Sequence, residues 1–109
     1  MKLDILAIGV HPDDVELGCS GTLMKHIDMG YKVGIVDLTK GELGTRGTVA
    51  DRMKEVAASS KIMGIHVREN LGFRDGFFKN DEKHQLELIK VIRRYKPTII
   101  ISNAKYDRH

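Results

Sequence analysis

The sequence has little of what marks several common classes of protein. Among its 109 residues there is one cysteine, Cys19, there is no tryptophan, and only six residues are aromatic. A single cysteine forms no disulfide within a chain, which argues against a small disulfide-stapled secreted scaffold and favours a reducing compartment. We therefore expect a cytoplasmic protein whose core is filled by aliphatic residues and methionines.

Long apolar runs and a charge of one sign are also lacking. No run approaches the roughly 18 apolar residues that span a bilayer, and Asp4 precedes any long apolar stretch. The 18 basic and 15 acidic residues are interspersed and give a net charge of +3. The sequence thus predicts neither a membrane span nor a standard export signal, and the charge is too weak to indicate nucleic-acid binding.

What the sequence does have is an alternation of strand and helix patterns, of a length that suits one globular domain. Apolar or β-branched runs predict four strands, at residues 2–9, 32–39, 66–71 and 98–102. Segments of helical periodicity lie between them, at residues 18–29, 50–63 and 80–95. Such alternation implies right-handed crossovers, so the predicted fold class is α/β, a three-layer Rossmann-like sandwich with a mostly parallel sheet.

Two of the predicted strands differ from the others in character. Residues 66–71 are polar enough to predict an edge strand. Residues 98–102 are β-branched, as in central strands, and no predicted helix follows them. We therefore expect a sheet that is truncated after its fourth strand.

The commonest strand order for such folds, 3-2-1-4, brings two distant polar segments together. The first and fourth strands are then neighbours, and ligands bind in the crevice at their carboxyl ends. The turn after the first strand carries His11, Asp13, Asp14 and Glu16, and the segment after the fourth carries Tyr106, Asp107 and His109. Imidazoles and carboxylates are therefore predicted to converge at one point.

The turn His11-Pro12-Asp13-Asp14 supports two interpretations. His11 and Asp14, three positions apart, can both point at one metal ion, but a catalytic zinc has three protein ligands. Asp13, between them, suits a general base that removes a proton from water beside a metal. The alternative is a polar turn and helix N-cap, where proline and aspartate are common. Spacing alone favours the cap.

A resemblance to a known family changes this balance. Residues 11–16, read as HPDDVE after an apolar strand and followed by GCSGT, strongly resemble the opening motif of the LmbE-like, or PIG-L, zinc-dependent N-deacetylases. Further matches to the family's signatures lie at residues 40–47, Arg52, Glu55, residues 75–76 and residues 107–109. The resemblance covers essentially the whole chain and is greatest to the branch that acts in bacillithiol biosynthesis.

The resemblance implies a zinc site and its catalytic groups. His11 and Asp14 would be ligands of one Zn²⁺ per chain, and Asp13 would be the base. His109 would help to stabilise the oxyanion and assist the leaving group. The third ligand would lie three residues beyond His109, so residues 1–109 are expected to be the N-terminal part of a single deacetylase domain.

The resemblance also implies substrate contacts. Arg52 would hold polar groups of the substrate and Asp75 would contact sugar hydroxyls, although a solvated helix charge and a turn aspartate are the simpler explanations of these two residues. Glu42 is a further candidate for substrate binding, or else orients a ligand or the loop. Arg46 either contacts the substrate or is a solvated charge. Glu16 and Asp107 would not bind the metal themselves but would orient its ligands or the loop.

The predicted function is therefore zinc-dependent removal of the acetyl group from an N-acetylglucosamine conjugate, with N-acetylglucosaminyl malate as the expected substrate. Another N-acetylglucosamine conjugate or a chito-oligosaccharide is the alternative within the same chemistry. Two other classes stay open, a metal-free module that binds a small ligand and a non-catalytic fragment that associates through residues 98–102. We expect a small-molecule substrate and a homo-oligomer.

Overall fold

The computed structural model describes residues 1–44 and 47–102, and its seven elements follow the predicted order. They are β1 (Ile5–Gly9), α1 (Asp14–Asp28), β2 (Val33–Thr39), α2 (Val49–Met63), β3 (Val67–Phe73), α3 (Glu82–Tyr95) and β4 (Ile99–Ile101). All described strand pairs are parallel, and the sheet order is β3-β2-β1-β4. The predicted fold class and the predicted strand order are confirmed.

The sheet lies between two helical layers. Successive residues of β1 and β2 face opposite sides and pack against one layer or the other. Ile5, Ala7, Val33 and Ile35 pack on one side in a core that also contains residues of α1 and α2. Leu6 and Val36 pack on the other side against Val91 of α3. Burial on both faces explains why these two strands read as continuous apolar runs.

Helix α1 begins at Asp14, four residues before its predicted start. Its N-cap is Asp13, but the Asp13 side chain makes no capping hydrogen bond within the described structure. The helix is also interrupted at Cys19, whose φ of −150° is not helical. Two glycines, Gly18 and Gly21, flank this break, and glycine disfavours a continuous helix.

The ends of the other two helices follow standard capping chemistry. Thr48 and Asp51 form a reciprocal capping box at the start of α2, and Gly64 ends it in the left-handed conformation. The carboxylate of Asp81 accepts the N–H of His84 at the start of α3. Helix α3 therefore begins at Glu82, two residues after its predicted start.

The strands β3 and β4 form the two edges of the described sheet. For β3 this is the predicted position. For β4 it follows from the predicted order 3-2-1-4. Although residues 98–102 are β-branched as in central strands, β4 has only three residues and pairs with β1 in the described sheet. Ile99 and Ile100 are accordingly about half exposed. No helix among the described residues is long and apolar enough to cross a membrane.

Candidate active site

A cavity of about 360 Å³ lies at the carboxyl end of the sheet, where the loops after β1, β2 and β3 meet. It is lined by His11, Pro12, Asp13, Gly41, Leu43, Gly44, Arg52 and Asp75. The first turn of α1 lies close to the end of β1, which is a glycine. A Cβ on Gly9 would lie 3.0 Å from Val15 Cγ2 and 3.2 Å from Asp14 Cβ, so a larger residue would push the first turn of α1 away.

His11 and Asp14 lie together in the turn that follows β1. The Nδ1 atom of His11 is 3.7 Å from Oδ2 of Asp14, and the same oxygen accepts the backbone N–H of His11 at 3.0 Å. Two ligand atoms at about 2.0 to 2.2 Å from one tetrahedral zinc lie roughly 3.3 to 3.6 Å apart. The observed separation therefore fits a shared zinc ion with little adjustment. Each side chain is 30% exposed, so a metal ion held between them would be accessible to water.

Asp75 holds the other nitrogen of the His11 ring. Its Oδ1 lies 2.7 Å from His11 Nε2, and its Oδ2 accepts the N–H of Leu43 at 2.9 Å. Burial by itself would raise the pKa of Asp75, but the donors Leu43 and His11 outweigh it and the pKa lies below its ordinary value. An ionised Asp75 favours the tautomer that carries its proton on Nε2 and leaves Nδ1 as the donor to a metal.

Glu42 supports Asp75 from the loop after β2. Its Oε2 accepts the backbone N–H of Asp75 at 2.9 Å, and this hydrogen bond lowers the pKa of Glu42. The structure thus brings together two residues predicted to contact substrate and bonds them to each other. Asp75 is only 5% exposed, whereas Glu42 is exposed.

Asp13 lines this cavity and a second one of about 420 Å³ next to it. Partial burial of its carboxylate raises the pKa of Asp13, and the carboxylates of Asp14 and Glu16 raise it further against the opposing effects of His11 and Arg52. A carboxylate with a raised pKa accepts a proton more readily, as a general base requires.

Arg52 reaches both cavities from α2. Its guanidinium donates from Nη1 to the carbonyl oxygen of Gly41. A Cβ on Gly44 would overlap the guanidinium, so glycine at this position is needed for Arg52 to lie where it does. Two carboxylates, Asp51 and Glu55, line the second cavity together with Arg52.

The sequence interpretation missed a buried ion cluster behind the site. Arg68 of β3 donates to Glu16 of α1 at 3.0 and 3.1 Å and to Asp37 of β2 at 2.8 and 3.0 Å. Burial raises the pKa of Asp37, whereas Arg68 and Ser59 hold the pKa of Glu16 below its ordinary value despite burial. Asp37, inside the mostly apolar β2 segment, could have indicated this cluster, because a buried carboxylate needs a partner.

Three predicted site residues, Arg46, Asp107 and His109, lie outside the described residues. Within residues 1–44 and 47–102, no group of three or more His, Cys, Asp or Glu side chains has the arrangement of a metal site. Within those residues, the candidate metal ligands are the pair His11 and Asp14.

Comparison with known proteins decides the family. The sequence model of PIG-L, GlcNAc-PI de-N-acetylase, matches residues 6–109. The chain belongs to the PIG-L family. An uncharacterized deacetylase, YaiS of Escherichia coli, is 44% identical over 71 residues, which are 65% of this chain and 38% of that protein. The diacetylchitobiose deacetylase of Thermococcus kodakarensis is 33% identical over 104 residues, 89% of this chain and 39% of that protein.

A third relative is relevant to the predicted branch. The probable N-acetyl-alpha-D-glucosaminyl L-malate deacetylase 2 of Bacillus anthracis is 27% identical over 110 residues, 90% of this chain and 49% of that protein. The chain thus spans between about two fifths and half of the length of the curated relatives it matches. All three of these relatives are named as deacetylases.

Solved structures with the same fold extend the comparison. The conserved protein TT1542 from Thermus thermophilus superposes with a TM-score of 0.93 at 45% identity, over 98% of this chain and 49% of that one. The N,N'-diacetylchitobiose deacetylase from Pyrococcus horikoshii, bound to an inhibitor, gives 0.88 at 30% identity, over 96% and 43%. A 4-carboxy-2-hydroxymuconate hydratase, GalB, gives 0.83 at 26% identity, over 100% and 50%.

Proposed function

We propose that the protein is a zinc-dependent hydrolase that removes the acetyl group from an N-acetylglucosamine conjugate. The observation that carries this proposal is the pairing of His11 Nδ1 with Asp14 Oδ2 at 3.7 Å at the edge of an open polar cavity. When bound there, zinc would lower the pKa of a water molecule and polarise the amide carbonyl.

The residues around the pair have separate tasks in this proposal. Asp13 accepts the proton of the attacking water, for which its raised pKa suits it. It then returns a proton to the departing nitrogen, so that acetate and a free amine are released. Asp75 keeps the His11 ring in the orientation and tautomer that a ligand needs. His109 is proposed, from the family resemblance, to stabilise the oxyanion.

The loops and α2 would hold the sugar conjugate. Arg52 offers the guanidinium that lines both cavities, and Arg46 is proposed to contact substrate from the loop after β2. Glu42 has an exposed carboxylate beside Asp75 and can accept from sugar hydroxyls. Glu16 and Asp107 are proposed to act from behind the ligands rather than on the substrate.

Two substrates are proposed for this reaction. N-acetylglucosaminyl malate is the conjugate expected from the sequence resemblance, and Arg52 could pair with a malate carboxylate. N,N'-Diacetylchitobiose is favoured by the higher identity to a diacetylchitobiose deacetylase, 33% against 27%. The carboxylates of Asp51 and Glu55 in the second cavity also favour an uncharged second sugar over a dianionic group.

The test is product analysis with the purified protein and both substrates. We expect acetate and free amine in equal amounts, loss of both after chelation, and recovery when zinc is returned. If the protein binds zinc stoichiometrically and releases acetate from neither substrate, the proposed reaction is wrong. Hydration of an unsaturated carboxylic acid is then the next reaction to assay, because a hydratase shares this fold.

A further inference from the structure

The first turn of α1, which carries the proposed ligand Asp14, is not a rigid continuation of the helix behind it. The backbone leaves helical geometry at Cys19, so residues 14–18 form a separate turn. The proposed base Asp13 and the proposed ligand His11 precede this turn directly. Its position against the sheet therefore decides where these groups lie.

Two side chains tie this turn to the rest of the protein. Val15 is buried in the apolar core with 4% of its surface exposed. Glu16 accepts from both terminal nitrogens of Arg68, and its Oε2 also accepts from Ser59 Oγ at 2.9 Å. Leu17, by contrast, is 83% exposed and does not anchor the turn.

Arg68 is itself fixed by the sheet. Its side chain is 8% exposed, and its Nε and Nη2 atoms donate to the two carboxylate oxygens of Asp37. A guanidinium is a planar group with five donors, so one arginine can serve two carboxylates at once, which the compact ammonium of a lysine cannot do in the same way. Arg68 thus connects β2 and β3 to the first turn of α1.

We propose that Arg68 is a positioning residue of the active site, which acts through Glu16 to hold the first turn of α1 where His11 and Asp14 can share a metal ion. This inference rests on the proposed zinc function. In the buried ion cluster, Glu16 belongs to the turn and Asp37 belongs to the sheet. The inference therefore gives the Arg68–Glu16 contact a role in the site beyond stability.

The different positions of Glu16, in the turn, and Asp37, in the sheet, allow an experimental test. Glu16→Gln and Arg68→Lys weaken the link to the turn. Asp37→Asn perturbs the same cluster from the side of the sheet but keeps both partners of the link to the turn, Arg68 and Glu16. Arg94→Met is a second control, since it breaks an ion pair with Glu69 on the exposed surface.

Zinc affinity is measured by competition with a chelator, on variants shown to be folded by circular dichroism. We expect Glu16→Gln and Arg68→Lys to lower zinc affinity by about tenfold, the lower end of the effect of residues that support a ligand. Asp37→Asn and Arg94→Met should stay within about twofold of the unaltered protein. Equal losses in Glu16→Gln and Asp37→Asn would reduce the cluster to a stabilising role and overturn the proposal.

Amide hydrogen exchange provides a readout that needs no metal. In Arg68→Lys we expect exchange in residues 14–18 to rise by about tenfold relative to residues 20–28, because opening of one segment is measured separately from that of its neighbours. Unchanged exchange there overturns the positioning role. If the unaltered protein takes up no zinc, the proposed function fails, while hydrogen exchange still decides whether Arg68 holds the turn.

Discussion

Replacement of Asp75 by asparagine is the sharpest test of the proposed metal site. Both carboxylate oxygens of Asp75 accept hydrogen bonds, one from His11 Nε2 at 2.7 Å and one from the N–H of Leu43 at 2.9 Å. Asparagine has a single acceptor oxygen and an NH₂ group that only donates. Asp75→Asn can therefore satisfy one of the two donors but must place its NH₂ group against the other.

The cost follows from these contacts. Hydrogen bonds to a charged group contribute about 1.5 to 3 kcal/mol each, and a buried group left without a partner costs about 1 to 3 kcal/mol. Asp75 is 5% exposed, so water does not replace the lost partner easily. We expect Asp75→Asn to lower the free energy of unfolding by about 2 to 4 kcal/mol in urea titration.

The variant should also change metal binding and pH dependence. If the NH₂ group faces His11, the imidazole moves its proton from Nε2 to Nδ1, and zinc affinity should fall by roughly 10- to 100-fold. Because the pKa of Asp75 is depressed in the folded state, its stabilisation is present above about pH 4 and is lost as the pH falls further. Asp75→Asn should lack this part of the acid sensitivity.

Asp81→Asn is the matched control. Asp81 also contacts a histidine, with its Oδ1 2.6 Å from Nδ1 of His84, but this pair lies on the exposed start of α3. Asparagine caps helices about as well as aspartate, so little change in stability and none in zinc affinity is expected. Equal behaviour of Asp75→Asn and Asp81→Asn would refute the idea that Asp75 holds a metal-binding histidine.

Three further predictions test other parts of the site and fold. The double variant His11→Ala, Asp14→Ala should lose the zinc that the unaltered protein retains after dialysis, measured by metal analysis, and normal zinc content would exclude this pair as the ligands. Asp13→Asn should keep zinc but lower the deacetylation rate by about two to four orders of magnitude, and a near-normal rate would assign the base elsewhere. Thr48→Ala should lower the free energy of unfolding by about 1 kcal/mol, because it removes a helix cap, and an unchanged urea midpoint would contradict the capping role.

Local patterns in the sequence determined the elements and their order. The apolar run at residues 2–9 predicted a strand buried on both faces, and residues 32–39 predicted a second strand. The alternation with helices predicted the parallel sheet, and the commonest order of such folds, 3-2-1-4, predicted its arrangement. The polar turn at residues 11–14 was recognisable as a candidate site from the family motif, because its spacing alone favoured a helix cap. These features depend on neighbours in sequence, so periodicity and short motifs are sufficient to find them.

Only the tertiary structure decided which distant side chains meet. Asp75 lies 64 positions from His11, and Arg68 lies 52 positions from Glu16, so no local pattern pairs them. From the sequence, Asp75 was interpreted as a turn aspartate or a sugar contact, and the polar residues of β3 were interpreted as those of an edge strand. Parallel strands bring the loops at their carboxyl ends together. Charged side chains that are buried there, such as Asp75 and Arg68, are stabilised by polar or charged partners. The contacts of the site are therefore set by the packing of the sheet, while the sequence alone determined the elements that carry them.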